Sequence, residues 1–263
     1  QRHHRGAGIG TVRDEALGLQ VGGAHHHRGS GHQRAHRHRA VQLLLEPVLG
    51  QVERVELTMG SHGTEVDELY GEGARTVPGM MIGEEAVHGS VPILRRLEEM
   101  VPEKPLYPEP IAEGVRAAEE WADGHFQDLG RRLPWGALHF RPEAMGTFAG
   151  GDALDPAGTD FAMKFIRSTW KYHNISAVTL AEDLAGFSAQ VRQIEEFAGQ
   201  GLIDGDEPTA ADLQIGSTAR VLLTIGDLHP MFDGTAAERI AMKHFPDYDG
   251  LVPEGAYPAG WLK

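Results

Sequence analysis

The chain is predicted to fold as a small α/β domain followed by an all-helical domain. Three observations predict this: short apolar runs with strand character confined to residues 52–88, a helical apolar period that takes over at Ser90, and a proline-rich stretch between the two regimes. At 263 residues there is enough chain for two ordinary domains with a real core, without staples.

The elements follow in order. Residues 1–38 are rich in His, Arg and Gly, hold eight of the 15 histidines, and show no apolar period of 2 or 3.6. This segment is expected to be disordered or foreign to the native domain, and a metal-binding His tract is a weaker reading because no acidic partners accompany it. From Arg39, Ala40, Val41, Leu43, Leu44, Leu45, Val48 and Leu49 form a short apolar helix disturbed by Pro47 and closed by Gly50. Val52, Val55 and Leu57 form a strand, and Glu65 to Tyr70 a helical turn. Thr76 to Ile82 reads as a second strand, with Pro78 barring an ordinary central position, and Glu85 to His88 returns after a Gly83-Glu84 turn.

At Ser90 the period changes: Val91, Leu94, Leu97 and Val101 share one helical face, Ser90 suits the N-cap, and Pro92 suits the first turn. Residues 39–101 are therefore one domain. Pro102 to Pro110, with four prolines in nine residues, is a semi-rigid linker. Residues 111–250 are all helical, with helices at Ile111 to Leu129, Asp160 to His173, Leu180 to Phe197, Ala210 to Ile225 and Thr235 to His244. Pro134 to Gly158 reads as an irregular connection, and 251–263 as a surface tail.

Composition narrows the functional classes. The absence of cysteine excludes disulfides, thiolate metal sites, a CxxC redox pair and a cysteine nucleophile, and no metal is expected. No apolar run is long enough to span a membrane, so the reading is a soluble, cytoplasmic protein with no membrane partner. Of the net charge of −14, residues 1–40 hold seven Arg against Asp14 and Glu15, a balance of +5 that leaves −19 for the rest. Such a body repels phosphate backbones, and no nucleic-acid partner is expected.

Two stretches carry a family resemblance. The first is Thr76-Val77-Pro78-Gly79-Met80-Met81-Ile82 with Val87-His88-Gly89-Ser90-Val91-Pro92-Ile93-Leu94. A proline in a cis turn leaves the N–H and C=O of the preceding residue free to pair outward, in the manner of a one-residue strand addition. A helix start at Ser90 offers donors and a positive dipole end to a carboxylate. The second stretch is Gly201-Leu202-Ile203 with Pro208-Thr209-Ala210-Ala211-Asp212, where Thr209 and Asp212 have capping-box spacing before a helix that is apolar nearly all round and must be buried.

Together these stretches resemble the glutathione transferase family, over roughly residues 39–250. The resemblance implies a thioredoxin-like N-terminal domain, its first strand missing or degraded here, followed by a helical bundle. It implies glutathione as co-substrate, held by Val77, Pro78, His88, Gly89 and Ser90, with transfer of the thiol to a small electrophile, and a homodimer. Val77 would pair with the cysteinyl backbone and Ser90 would hold the γ-glutamyl carboxylate. Gly89 stands where the family commonly has Glu, Asp or Gln. Thr209 and Asp212 would be structural caps.

The family activates the thiol with a Tyr or Ser hydroxyl, or a Cys, after the first strand. Residues 1–58 contain neither Tyr nor Cys, Ser30 is the one hydroxyl near that place, and the catalytic residue is left unassigned. An acceptor groove is expected between the helices at Ile111 to Leu129 and Asp160 to His173, with Trp121, Phe126, Trp170, Tyr172 and His173 available. A binding or scaffold protein without turnover, and a thiol-dependent isomerase or dehalogenase, are the alternative readings.

Overall fold

The structure, a computed structural model, describes residues 19–24, 52–57, 62–71 and 77–262. The helix read at Ala40 to Leu49, and Ser30, lie outside the described residues.

The first domain is built on a four-stranded sheet. Its strands are β1 (Leu19–Ala24), β2 (Val52–Leu57), β3 (Gly79–Ile82) and β4 (Glu85–His88), in the order β2-β1-β3-β4. β1 runs parallel to β2, with Leu19 opposite Val52, and antiparallel to β3, with Leu19 opposite Ile82. β3 and β4 form a hairpin through Gly83-Glu84, with Gly79 opposite His88.

β1 corrects the reading that the first strand is missing. It lies inside the His/Arg-rich segment and occupies a central position, paired on both edges. Its own signal is short, Leu19 and Val21 alternating with Gln20 and Gly22. Two neighbouring strands supply by pairing what local propensity lacks, since strand preference is decided by context more than by composition.

α1 (His62–Tyr70) and α2 (Ser90–Met100) complete this domain. Met80 and Ile82 of β3 are buried in one continuous apolar core with Ile93, Leu94 and Leu97 of α2, and that core extends into the helical domain.

The stretch Pro102 to Pro110 joins the two parts but is not a free spacer. Leu106 and Tyr107 are buried, the Leu106 N–H donates to the Glu98 carboxylate, and the Leu106 carbonyl accepts from the Ala210 N–H at 2.9 Å.

Beyond it come α3 (Ala112–Trp121), a π-helical turn at Ala122–Phe126, and α4 (Gln127–Phe140), which succeed one another without a break. α4 corrects the expected end at Leu129 and the irregular segment from Pro134. Pro134 sits inside the helix and is buried, and removes one backbone bond that the packing around α4 outweighs. A 3₁₀ segment, Pro142–Ala149, then leads to α5 (Pro156–Tyr172), α6 (Ala177–Gly199) and α7 (Ala210–Leu222). A short α8 (His229–Phe232) and α9 (Ala236–His244) close the bundle.

α7 is the axis of the helical domain. Ala210, Leu213, Ile215, Ala219 and Leu222 are all buried, and α3, α4 and α9 pack around it. The final segment, read as a surface tail, is docked. Val252 bridges Ile225 in parallel fashion and is wholly buried, and Tyr257 donates its hydroxyl to the Leu133 carbonyl at 2.7 Å. Two backbone N–H groups of this segment, from Gly255 and Tyr257, are gathered by the Asp227 carboxylate, which is why it stays down.

Candidate functional site

Strand register brings the sequence-derived positions to one end of the sheet. Gly22 of β1 faces Gly79, and Gly79 faces His88, so the C-terminal ends of β1 and β4 meet the start of β3. One residue beyond His88, Gly89 turns the chain into α2.

The Val77-Pro78 peptide bond is cis, and β3 begins directly after it. The Pro78 carbonyl accepts from the Gly89 N–H at 2.9 Å, which ties the turn to the end of β4. Among the described residues nothing pairs with the N–H or C=O of Val77, whose side chain is 38 % exposed. An unpaired strand-edge amide beside a sheet is the geometry that accepts a peptide backbone.

Ser90 is not the N-cap. Gly89 takes that place with φ 97° and ψ 150°, and no side chain caps the helix. The physical reason is the abrupt change from strand to helix in a single residue, which needs a positive φ that glycine alone adopts without strain. Ser90 thus becomes the first helical residue, and its hydroxyl has no partner among the described residues. The first closed backbone bond of α2 runs from the Ile93 N–H to the Gly89 carbonyl at 3.1 Å, and Pro92 has no N–H. That leaves the Ser90 and Val91 N–H groups unmatched among the described residues, at the positive end of an 11-residue helix.

His88 shares the sheet face of Gly79, and its ring lies 5.7 Å from that of Tyr70. Tyr70, at the end of α1, was not singled out in the sequence, and it covers the site's floor. A Cβ on Gly79 would stand 2.2 Å from the Tyr70 Cζ, so the tyrosine ring fills the space above that glycine. Burial raises the Tyr70 phenol above its ordinary pKa and keeps it neutral. The available signal was a glycine directly after Val-Pro, marking a close approach.

The aromatic residues expected to line an acceptor groove do not converge. Phe126 is wholly buried with Trp121 stacked on it at 5.6 Å, and Trp121 meets Phe197 edge-on. Trp170 donates its indole N–H to the Trp135 carbonyl at 2.8 Å and stacks on His139. Tyr172 is 68 % exposed, and His173 sits beside Arg131 and Arg132, with burial lowering its pKa. α5 packs on α4 and the 3₁₀ segment.

Thr209 and Asp212 make a reciprocal cap. The Thr209 hydroxyl accepts from the Asp212 N–H, and the Asp212 carboxylate accepts from the Thr209 N–H at 2.8 Å. The other carboxylate oxygen takes the Asp204 N–H at 2.7 Å, fastening the preceding loop. Among the described residues no cluster of three His, Asp or Glu side chains could hold a metal ion, and no helix is long and apolar enough to cross a membrane.

No protein-family model matches the chain, and no curated protein matches it in sequence. Solved structures match it in fold. A glutathione S-transferase of Ceriporiopsis subvermispora, solved in complex with glutathione, aligns over 87% of this chain and 98% of its own, at 13% identity and a TM-score of 0.54. A glutathione transferase of Phanerochaete chrysosporium aligns over 87% and 92% of the two chains, at 12% identity and a TM-score of 0.50. The chain has the glutathione-transferase-like fold, a short sheet followed by a largely helical C-terminal part.

Proposed function

We propose that the chain binds glutathione at the sheet end formed by Val77, Pro78, Gly89 and Ser90, and transfers its thiol to a small electrophile. The observation that carries this reading is the pairing of two sets of unpaired backbone groups at one end of the sheet. The unpaired Val77 backbone suits the cysteinyl N–H and C=O, and the unmatched Ser90 and Val91 donors suit the γ-glutamyl carboxylate. Ser90, freed from capping by Gly89, adds a hydroxyl donor at the same carboxylate. The Ceriporiopsis subvermispora protein, solved with glutathione, supports the choice of ligand.

Turnover requires the thiol proton to leave to solvent and the thiolate to be held by a donor. The sulfur then forms a bond to an electrophilic carbon, whose leaving group departs with its electron pair. Between β1 and β2 the sequence has one hydroxyl side chain, Ser30, six residues past the end of β1. It is the one candidate that interval offers for such a donor, and it lies outside the described residues. The lack of any Tyr or Cys in the same interval favours, as second reading, a thiol-binding protein of this fold without turnover.

The test is calorimetric titration of glutathione into the intact chain, repeated with Ser90→Ala. Binding that weakens by about tenfold in the variant, the size of one charge-assisted hydrogen bond, supports the site. A turnover assay with an aryl halide, comparing the intact chain with Ser30→Ala, then separates the two readings. Absence of glutathione binding to the intact chain would overturn both.

A further inference from the structure

α5 presents an exposed face that none of the described residues covers. Ala162 and Ile166 bury its inner side. On the outer side Phe161, Phe165, Ser168 and Tyr172 recur at spacings of 4, 3 and 4 and so share one row. Phe161 is 74 % exposed and Tyr172 68 %, about 16 Å apart along the helix axis at 1.5 Å per residue. Phe165 anchors the middle of the row, edge-on to Trp135 at 5.5 Å. The row is apolar but for Ser168, and exposed aromatics gathered on one face mark contact surfaces more often than isolated ones do.

A row of cations runs beside it. Lys164, Arg167 and Lys171 follow spacings of 3 and 4 along one flank of the aromatic row, are exposed, and make no ion pair among the described residues. Several other cations are engaged: Arg96, Arg132 and Arg239 in ion pairs, Arg220 and Lys243 on backbone carbonyls. The only acid on α5 is Asp160. This basic strip sits on a chain of net charge −14.

We propose that the outer face of α5 docks an acidic amphipathic segment of another protein. Such a segment would place apolar side chains against Phe161 and Tyr172 and carboxylates against Lys164, Arg167 and Lys171. Charge complementarity selects the sign of the partner. It also selects a discrete segment over an anionic bilayer, which would extend beneath the acidic remainder of the protein. A segment needs only to lie within a Debye length, roughly 8 Å, of the three cations, where the distant acids are screened.

The test uses the full chain and a fluorescein-labelled helical peptide of about 18 residues, carrying Leu at spacings of 4, 3 and 4 with Glu along one flank. Anisotropy titration is expected to show binding that weakens about tenfold or more in Lys164→Glu/Lys171→Glu, and that also weakens in Phe161→Ser. It is expected to fall as salt rises from roughly 50 to 300 mM, and a peptide with Lys in place of Glu should not bind. These are surface changes, so a matching thermal melt checks that each variant is folded. The inference is overturned if the Glu peptide does not bind, or binds the variants as well as the parent chain. It is equally overturned if the chain ignores the peptide and sediments with vesicles of phosphatidylcholine containing about 30% phosphatidylserine.

Discussion

The Tyr70 ring occupies the volume that a side chain on Gly79 would need, with its Cζ 2.2 Å from where that Cβ would stand. Gly79 is therefore a packing requirement of the candidate thiol site, because it lets α1 close over the first residue of β3. Gly79→Ala is expected to destabilise the chain by about 1 to 3 kcal/mol through overpacking, and to weaken glutathione binding by displacing the Val77-Pro78 turn. Chemical unfolding measures the first effect and calorimetry the second. Tyr70→Ala in the same chain removes the clash and should recover part of the binding; no recovery would show that Tyr70 is not the obstacle.

Gly89 carries the second local constraint, its φ of 97° and ψ of 150° lying in a region that side chains avoid. Gly89→Ala meets no serious clash, since the nearest side-chain atom to its Cβ is the Pro92 Cδ at 3.4 Å. The cost is conformational, about 1 to 3 kcal/mol. A chain that escapes it by rotating residue 89 would shift the start of α2, so the Ala variant should lose glutathione affinity as well as stability. Unchanged affinity with unchanged melting would show that the turn tolerates a side chain.

Much of this was legible in the sequence where the chemistry is local. Val77-Pro78 announces a break in a strand by itself, and Thr209 with Asp212 announces a helix start by spacing alone, because proline geometry and capping act over three or four residues. What was hidden depends on distant partners. Leu19 and Val21 make too little of a pattern to declare a strand, and β1 exists through its pairing with β2 and β3. Pro134 looks like a stop, yet it lies within a helix packed by α5, α6 and α7. Ser90 resembles a cap in one dimension, and only the turn from β4 shows that glycine must hold that position.

Asp212 does more than a spacing rule reveals. Its carboxylate accepts from the Thr209 N–H, the Thr209 hydroxyl and the Asp204 N–H, while the residue is 1% exposed. Asp212→Ala removes the cap and leaves two backbone donors buried or nearly so, for which about 2 to 4 kcal/mol is expected. Asp212→Asn keeps an acceptor for one of them and should lie between the two. A thermal melt of the Ala variant indistinguishable from that of the parent would refute the structural role.

Glu119 is a titratable group buried with only part of its carboxyl satisfied. Its side chain is fully buried; Oε1 accepts the Tyr107 hydroxyl at 2.8 Å and Oε2 has no hydrogen-bond partner among the described residues. Burial raises its pKa above the ordinary carboxylate value, against the opposing influence of the Tyr107 hydrogen bond and of Arg95 on α2, with Asp123 and Glu120 adding to the rise. A carboxyl with a raised folded-state pKa contributes its stability fully below the unfolded value. That contribution is lost as pH climbs through the folded value, because the folded state then has to bury a charge or stay protonated at a cost. Glu119→Gln cannot ionise and escapes the loss. Its stability relative to the parent chain should therefore rise from pH 4 toward neutrality, as read by urea unfolding at each pH. Parallel pH profiles for the two chains would show that Glu119 ionises in the fold as readily as it does unfolded. A rising difference would identify Tyr107 and Glu119 as a protonated clasp between the interdomain segment and α3.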